Sequence, residues 1–273
     1  MKPTDILAIV SSASQESVFA AAERLAQLWG ARIVVLQLAQ QPEPLATDPV
    51  YAATLWAEVL KEAHERFVAE HDLIKQRVAK LQAKTDLHKE EVLLGTVEDV
   101  MTHYAMQADI VLMGTPQSES ADIAFEGALF RSGRPVLLVP AEMTSASIGQ
   151  RVLIGWKPKR EAARAIADAM PFLESAEKAV VVTVNAQRDS IDPASGPAIT
   201  ALLQHKGVKA ELRALDAGKN ETAEMKLLQE AAAMGADLIV MGGYGHSRLR
   251  EFVFGGVTRS LSRGCPIPVL MSH

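Results

Sequence analysis

The residues best placed for chemistry in this 273-residue chain are glycines. Gly242-Gly243-Tyr244-Gly245 is followed by nine residues and then by Gly255-Gly256-Val257-Thr258. A glycine lacks the Cβ that would hold a ligand away from the main chain, and it reaches positive φ freely. Gly242 and Gly245 therefore suit a segment whose N–H groups grip an anion. Val257-Thr258-Arg259-Ser260-Leu261 reads as the first turn of a helix, and a helix N-terminus offers unpaired N–H donors and a positive dipole end to phosphate. Ser247 and Thr258 add hydroxyl donors, Arg248 and Arg250 add charge, and His246 is better read as a phosphate-near donor than as a general base.

Other chemistries fit the residues less well. No glycine run ends in Lys-Ser or Lys-Thr as a Walker loop would. Gly245-His246-Ser247-Arg248-Leu249 lacks the closing glycine of a nucleophile elbow. His64, His71 and His88 have no paired spacing for a metal, and the first two belong on the solvated face of a long helix. The lone cysteine, Cys265, excludes an internal disulfide and suits packing more than reactivity. Trp156 could stack on a base, although a buried strand-end aromatic is the ordinary explanation.

A phosphate loop needs a strand before it and a helix after it, and the chain supplies that context twice. Ala108-Asp109, three aliphatic residues and Met113-Gly114 recur as Ala236-Asp237, three aliphatic residues and Met241-Gly242. Leu7-Ala8-Ile9 parallels Val152-Leu153-Ile154, and Pro135-Val136-Leu137 parallels Pro268-Val269-Leu270, so the chain is a duplication with an insertion in the first copy. Short apolar runs alternate with helical periodicity throughout. The first copy is expected to hold strands at Ile6–Val10, Arg32–Leu38, His88–Leu94, Ile110–Met113 and Val136–Val139, with the insertion in a long helix from about Tyr51 to Lys84. The second is expected to hold strands at Arg151–Trp156, Ala179–Val184, Lys209–Ala214, Leu238–Met241 and Pro268–Met271. Its helices fall near Arg160–Leu173, Pro193–His205 and Thr222–Met234, and a last one starts around Gly255. Alternating βα units imply an α/β fold, a parallel sheet covered on both faces, with its crevice at the carboxyl ends of the strands. The domains are expected at 1–142 and 150–273. Pro135 and Pro268 open apolar edge strands, and pairing the two copies edge to edge would cover both.

Composition narrows the function. Net charge is −5 and aromatics make up 5% of the chain, which argues against a phosphate-tracking nucleic-acid binder. Residues 1–142 hold 12 Lys and Arg against 20 Asp and Glu, whereas residues 143–273 hold 16 against 13. A small anion is thus expected in the second copy. No stretch approaches the roughly 18 uninterrupted apolar residues of a membrane helix, so a cytoplasmic protein without membrane contact is expected.

Gly-x-x-Gly, nine residues and Gly-(Ser/Thr) is the nucleotide signature of the ATP-binding universal stress proteins. Gly242, Gly245 and Gly255 match it, with Gly256 in the hydroxyl position, and the whole chain resembles a tandem universal stress protein. The resemblance implies two doubly wound domains, each a five-stranded parallel sheet of order 3-2-1-4-5. It also implies that Val184 holds adenine through its backbone and that Met241 lines the base and ribose. Gly242, Gly245, Gly255, Gly256 and Val257 would wrap ribose and phosphates. The family's aspartate after the first strand is replaced by Lys157, which cannot accept a hydrogen bond and would reach a phosphate instead. ATP, ADP or AMP, with or without Mg2+, is the implied ligand.

The first copy departs further. Gly114 and Gly127 keep the spacing, but Gln117 replaces the second glycine, Pro116 deletes a donor, and Glu119, Asp122 and Glu126 repel phosphate. Ser12 stands at the aspartate position. The first copy is expected to be degenerate for nucleotide, with a structural or partner-binding role. Three functions stay open: a nucleotide-binding stress-response regulator with an unidentified protein partner, an internal pseudo-dimer and a capacity to dimerise further; a slow ATPase or nucleotidyl transferase; and a ligand-free interaction scaffold.

Overall fold

The computed structural model describes residues 2–12, 15–43, 49–143, 147–185, 192–218, 221–243, 261–262 and 264–273. The chain divides into two compact units at the Arg134–Pro135 bond.

In residues 3–134, β1 (Asp5–Val10), α1 (Glu16–Trp29), β2 (Arg32–Gln40), α2 (Pro49–Val78), β3 (Thr85–Val92), α3 (Val97–Met106), β4 (Ile110–Gly114) and α4 (Glu119–Glu126) follow in order. The strands form a parallel sheet, β3-β2-β1-β4. Every residue from Ile6 to Val10 is buried, as a strand covered on both faces must be. α1 lays Val18, Phe19, Ala22, Leu25 and Ala26 inward and stops at Gly30, whose left-handed φ of 71° lets its N–H reach the Ala26 carbonyl at 2.8 Å. α4 runs on as a turn of π-helix, Gly127–Arg131.

α2 departs from expectation. It ends at Val78, because turn bonds from Lys80 to Arg77 and from Leu81 to Val78 swing the chain toward β3, which starts at Thr85 and not His88. Along it Phe67 and Ile74 are buried, whereas Leu55 is 62% exposed. His71 is not on a solvated face. Its Nδ1 lies 2.8 Å from Oε1 of Gln37, a wholly buried β2 residue whose amide donates to the Phe67 carbonyl.

In residues 135–273, the elements are β5 (Val136–Val139), β6 (Arg151–Gly155), α5 (Arg160–Leu173), β7 (Lys178–Val184), α6 (Ser195–His205), β8 (Ala210–Leu215), α7 (Ala223–Met234), β9 (Leu238–Gly242) and β10 (Val269–Ser272). Strands β10-β9-β6-β7-β8 are parallel neighbours, which is the 3-2-1-4-5 order read from the opposite edge. The fifth strand of the first copy, β5, falls in this unit. It pairs antiparallel with β10, Leu137 opposite Leu270, so the two Pro-led edges cover each other. The start of the last helix, Gly255–Ser260, lies outside the described residues; Leu261 and Ser262 are helical. Cys265 is 3% exposed, and burial pushes its thiol pKa up, consistent with packing.

Candidate functional site

The carboxyl ends of β6, β7, β9 and β10 bring together Trp156, Lys157, Val184, Gly242, Gly243 and His273. The rest of the glycine segment, including Gly245, His246, Arg248, Gly255, Gly256, Val257 and Thr258, lies outside the described residues.

Gly242 is required for a reason other than the expected one. Its φ is not positive, since the positive-φ glycines among the described residues are Gly30, Gly133, Gly149, Gly207 and Gly235. Instead, a Cβ at Gly242 would stand 2.6 Å from the Ala162 backbone nitrogen and 2.7 Å from the Glu161 carbonyl carbon. The first turn of α5 packs directly on Gly242, and the absent side chain makes room for protein. Gly243 is likewise engaged internally: its N–H donates to the Ser272 carbonyl at 2.8 Å, and its carbonyl accepts from His273 Nδ1 at 3.0 Å. Gly242 and Gly243 thus form the anchored stem of the segment, and any cradle begins beyond them.

The stem meets a positive helix end. Lys159, the extended residue before α5, provides no side-chain cap. Lys157, Lys159 and Arg160 lie at or just before the end of the helix where its dipole is positive, and Arg160 is paired with Glu161 at 2.7 Å. Glu161 is the acidic residue of that first turn and is 6% exposed. Burial pushes its carboxyl up, but hydrogen bonds from Arg160 and from its own N–H, together with the charges of Arg160 and His273, hold it below the usual carboxylate range. The Trp156 indole N–H and the Ser272 hydroxyl are buried without a partner among the described residues, and such groups ordinarily have one. Met241 is buried at 7% exposure and shares a sheet face with Gly155. Val184 ends β7, and the following Asn185 takes a positive φ of 55° while its side chain accepts from the Ala217 N–H.

The equivalent crevice of the first copy is filled by the protein itself. Gln15 Oε1 accepts from the Ser11 N–H at 2.6 Å and the Ser12 N–H at 3.3 Å, and its Nε2 would stand 3.2 Å from a Cβ on Gly114. Ser12 donates to Glu70 of α2 at 2.8 Å. Gly127 is explained by close approach to the Glu98 carbonyl, 2.8 Å from a would-be Cβ. The cavity that remains is ≈ 110 Å³, below the roughly 300 Å³ at which small-molecule pockets begin. Burial, with Asp122 and Glu98 nearby, pushes the Glu126 carboxyl pKa up.

Sequence reasoning passed over four residues. His273 and Arg160 carry no motif. Asp109 and Asp237 were visible in the repeat, but the repeat did not reveal their role. Each bonds the N-terminal edge of its copy's first strand: Asp109 takes the Thr4 and Asp5 N–H groups, and Asp237 takes those of Gly149, Gln150 and Arg151.

Among the described residues no His, Cys, Asp and Glu group could hold a metal ion, and no helix is long and apolar enough to cross a membrane. Residues 149–273 match the model of the Universal stress protein family. A universal stress protein from Archaeoglobus fulgidus DSM 4304 superimposes over 98% of this chain and 97% of its own, at 16% identity and a TM-score of 0.70. A protein of unknown function from Pseudomonas aeruginosa PAO1 covers 99% of this chain and 92% of its own, at 13% identity and a TM-score of 0.60. No curated protein matches the sequence. The family's model thus fits the second copy, and the fold of a universal stress protein runs along nearly the whole length of the chain.

Proposed function

We propose that the second copy binds an adenine nucleotide, ATP or a diphosphate or monophosphate relative, and that the protein acts in stress response as a nucleotide-dependent regulator. The observation that carries this is the start of α5, where Lys159 offers no side-chain cap, Lys157, Lys159 and Arg160 follow one another along the chain, and the first turn packs against the stem of the glycine segment. A phosphate placed there meets a positive dipole end and a run of cationic residues, of which Arg160 is already paired with Glu161. Trp156 and Ser272 add buried donors close by. Mg2+ would arrive with the nucleotide, on its phosphates. The first copy, with Gln15 on its amides and carboxylates around its loop, has a structural or partner-binding role.

The test is thermal unfolding with and without millimolar ATP. Ligand held by the folded state raises Tm, and at about 100 times Kd the gain is about 2.7 kcal/mol. Gly245→Val is expected to abolish the gain while leaving the unliganded Tm near that of the parent. A parent protein whose Tm no nucleotide moves points to the interaction scaffold, and phosphate release above background points to the slow ATPase.

A further inference from the structure

The long helix α2 is seated by one side. Phe67 and Ile74 are buried there, His71 meets Gln37 of β2, His64 meets Glu91 of β3, and Arg77 meets Glu16 of α1. A different stripe of the helix takes no part in these contacts. Leu55, Val59, Glu62, Arg66, Ala69 and Leu73 recur at alternating spacings of four and three residues, the repeat by which one helix packs along another. Leu55 is 62% and Leu73 50% exposed. Glu62, Arg66 and Ala69 between them are exposed, and Val59 is half-buried. Reversed about position 64, the stripe repeats itself in kind: Leu55 falls on Leu73, Val59 on Ala69 and Glu62 on Arg66. A twofold contact makes that demand, because residue i of each molecule meets residue j of the other.

We propose that this stripe is a self-docking surface, on which α2 of a second molecule lies antiparallel with the dyad level with position 64. Leucine then stacks on leucine at both ends, Val59 packs on Ala69, and two Glu62–Arg66 pairs close across the axis. Parallel pairing would set Glu62 on Glu62 and Arg66 on Arg66, so charge fixes the direction. Arg66 already leans toward position 62, its Nε donating to the Glu62 carbonyl at 3.3 Å, and a guanidinium has further N–H donors for a carboxylate. The contact is small. From Leu55 to Leu73 the helix runs about 27 Å, which suits a transient interface of less than about 1,200 Å². Glu58, Glu65 and Asp72 run beside the stripe, with Lys61 3.8 Å from Glu65, and repulsion between these acids across the dyad keeps the association reversible. A second molecule thus becomes the occupant in the partner-binding role of the first copy. The dimer requires no nucleotide, so it stands or falls apart from the reading of the glycine segment.

Sedimentation velocity of the full chain without nucleotide tests it through a charge-swap cycle. The parent should dimerise as its concentration is raised toward roughly 1 mM. Glu62→Arg sets arginine on arginine and Arg66→Glu sets glutamate on glutamate, so each single variant should associate about tenfold or more weakly. Both positions are exposed, and the Tm of each variant should stay near that of the parent. Glu62→Arg combined with Arg66→Glu in one chain restores opposite charges in the antiparallel arrangement, and the dimer should return. An equimolar mixture of the two single variants should dimerise as well. A parent that stays monomeric throughout overturns the proposal and leaves the stripe to a helix of another protein. Single variants that associate like the parent place the dimer on some other face and overturn it too, as does a double variant that remains monomeric.

Discussion

Single residues in this chain show how one glycine pattern serves two ends. From spacing, Gly242 reads as a ligand-facing residue, yet its missing Cβ makes room for the Ala162 nitrogen and the Glu161 carbonyl carbon. The spacing was legible because both uses demand the same residue; which use applies depends on what another helix brings to the site. Replacing Gly242 by alanine is accordingly expected to destabilise the protein by about 1–3 kcal/mol, the ordinary cost of overpacking. Chemical denaturation with no nucleotide present measures it. An unchanged midpoint would mean that α5 gives way freely and that packing is not what requires glycine there. The first copy teaches the converse. Gln15 carries no signature, but it closes the amides of Ser11 and Ser12 with one side chain, an internal partner that lies upstream of Pro116 and Gln117.

Among elements, the repeat conserved between the two halves of the chain marks a joint. Asp237, 3% exposed, takes three main-chain N–H groups at the entry to β6 and the Ser147 hydroxyl besides. Asp237→Ala leaves those donors buried and should cost about 3 kcal/mol or more. Asp109 makes the same joint at β1 with its side chain 39% exposed, so Asp109→Ala should cost only about 1 kcal/mol, screened by solvent. Burial pushes the Asp109 carboxyl up, but bonds from Thr4 and Asp5 and the charge of Arg134 outweigh it and hold the pKa below its usual value. A carboxyl depressed in the folded state stabilises above its unfolded pKa, and that stabilisation fades as pH falls toward the folded value. The gap between the parent and Asp109→Ala should therefore be widest near neutrality and narrow below about pH 4. A gap independent of pH, read from denaturation midpoints, would show that the charge of Asp109 contributes nothing. α2 is the element that periodicity described least well. Its seat on β2 is partly polar, through Gln37 and His71, and an apolar stripe gives no sign of such a contact.

For the molecule as a whole, the consequential feature is where β5 lies. It is the last strand of the first copy in sequence but belongs to the compact unit of the second, paired antiparallel with β10. A fragment starting at Pro135 retains that pairing, whereas one starting at Gly149 leaves Val269, Leu270 and Met271 on a bare edge. An uncovered apolar edge recruits other strands. The longer fragment is expected to be monomeric and the shorter one to self-associate, as size-exclusion chromatography at matched concentration would reveal. Two monomeric fragments of equal Tm would show that β5 adds no protection.

The sequence by itself determined the duplication and the order of strands and helices. Those properties are written in local periodicity and in a repeated heptapeptide, neither of which needs a neighbour to be read. Tertiary structure alone decided that α5 stands on Gly242, that Gln15 fills the first crevice, and that His273 meets both Gly243 and Arg160. Each of these contacts joins residues from different elements, and a chain carries no local mark of what will be folded against it.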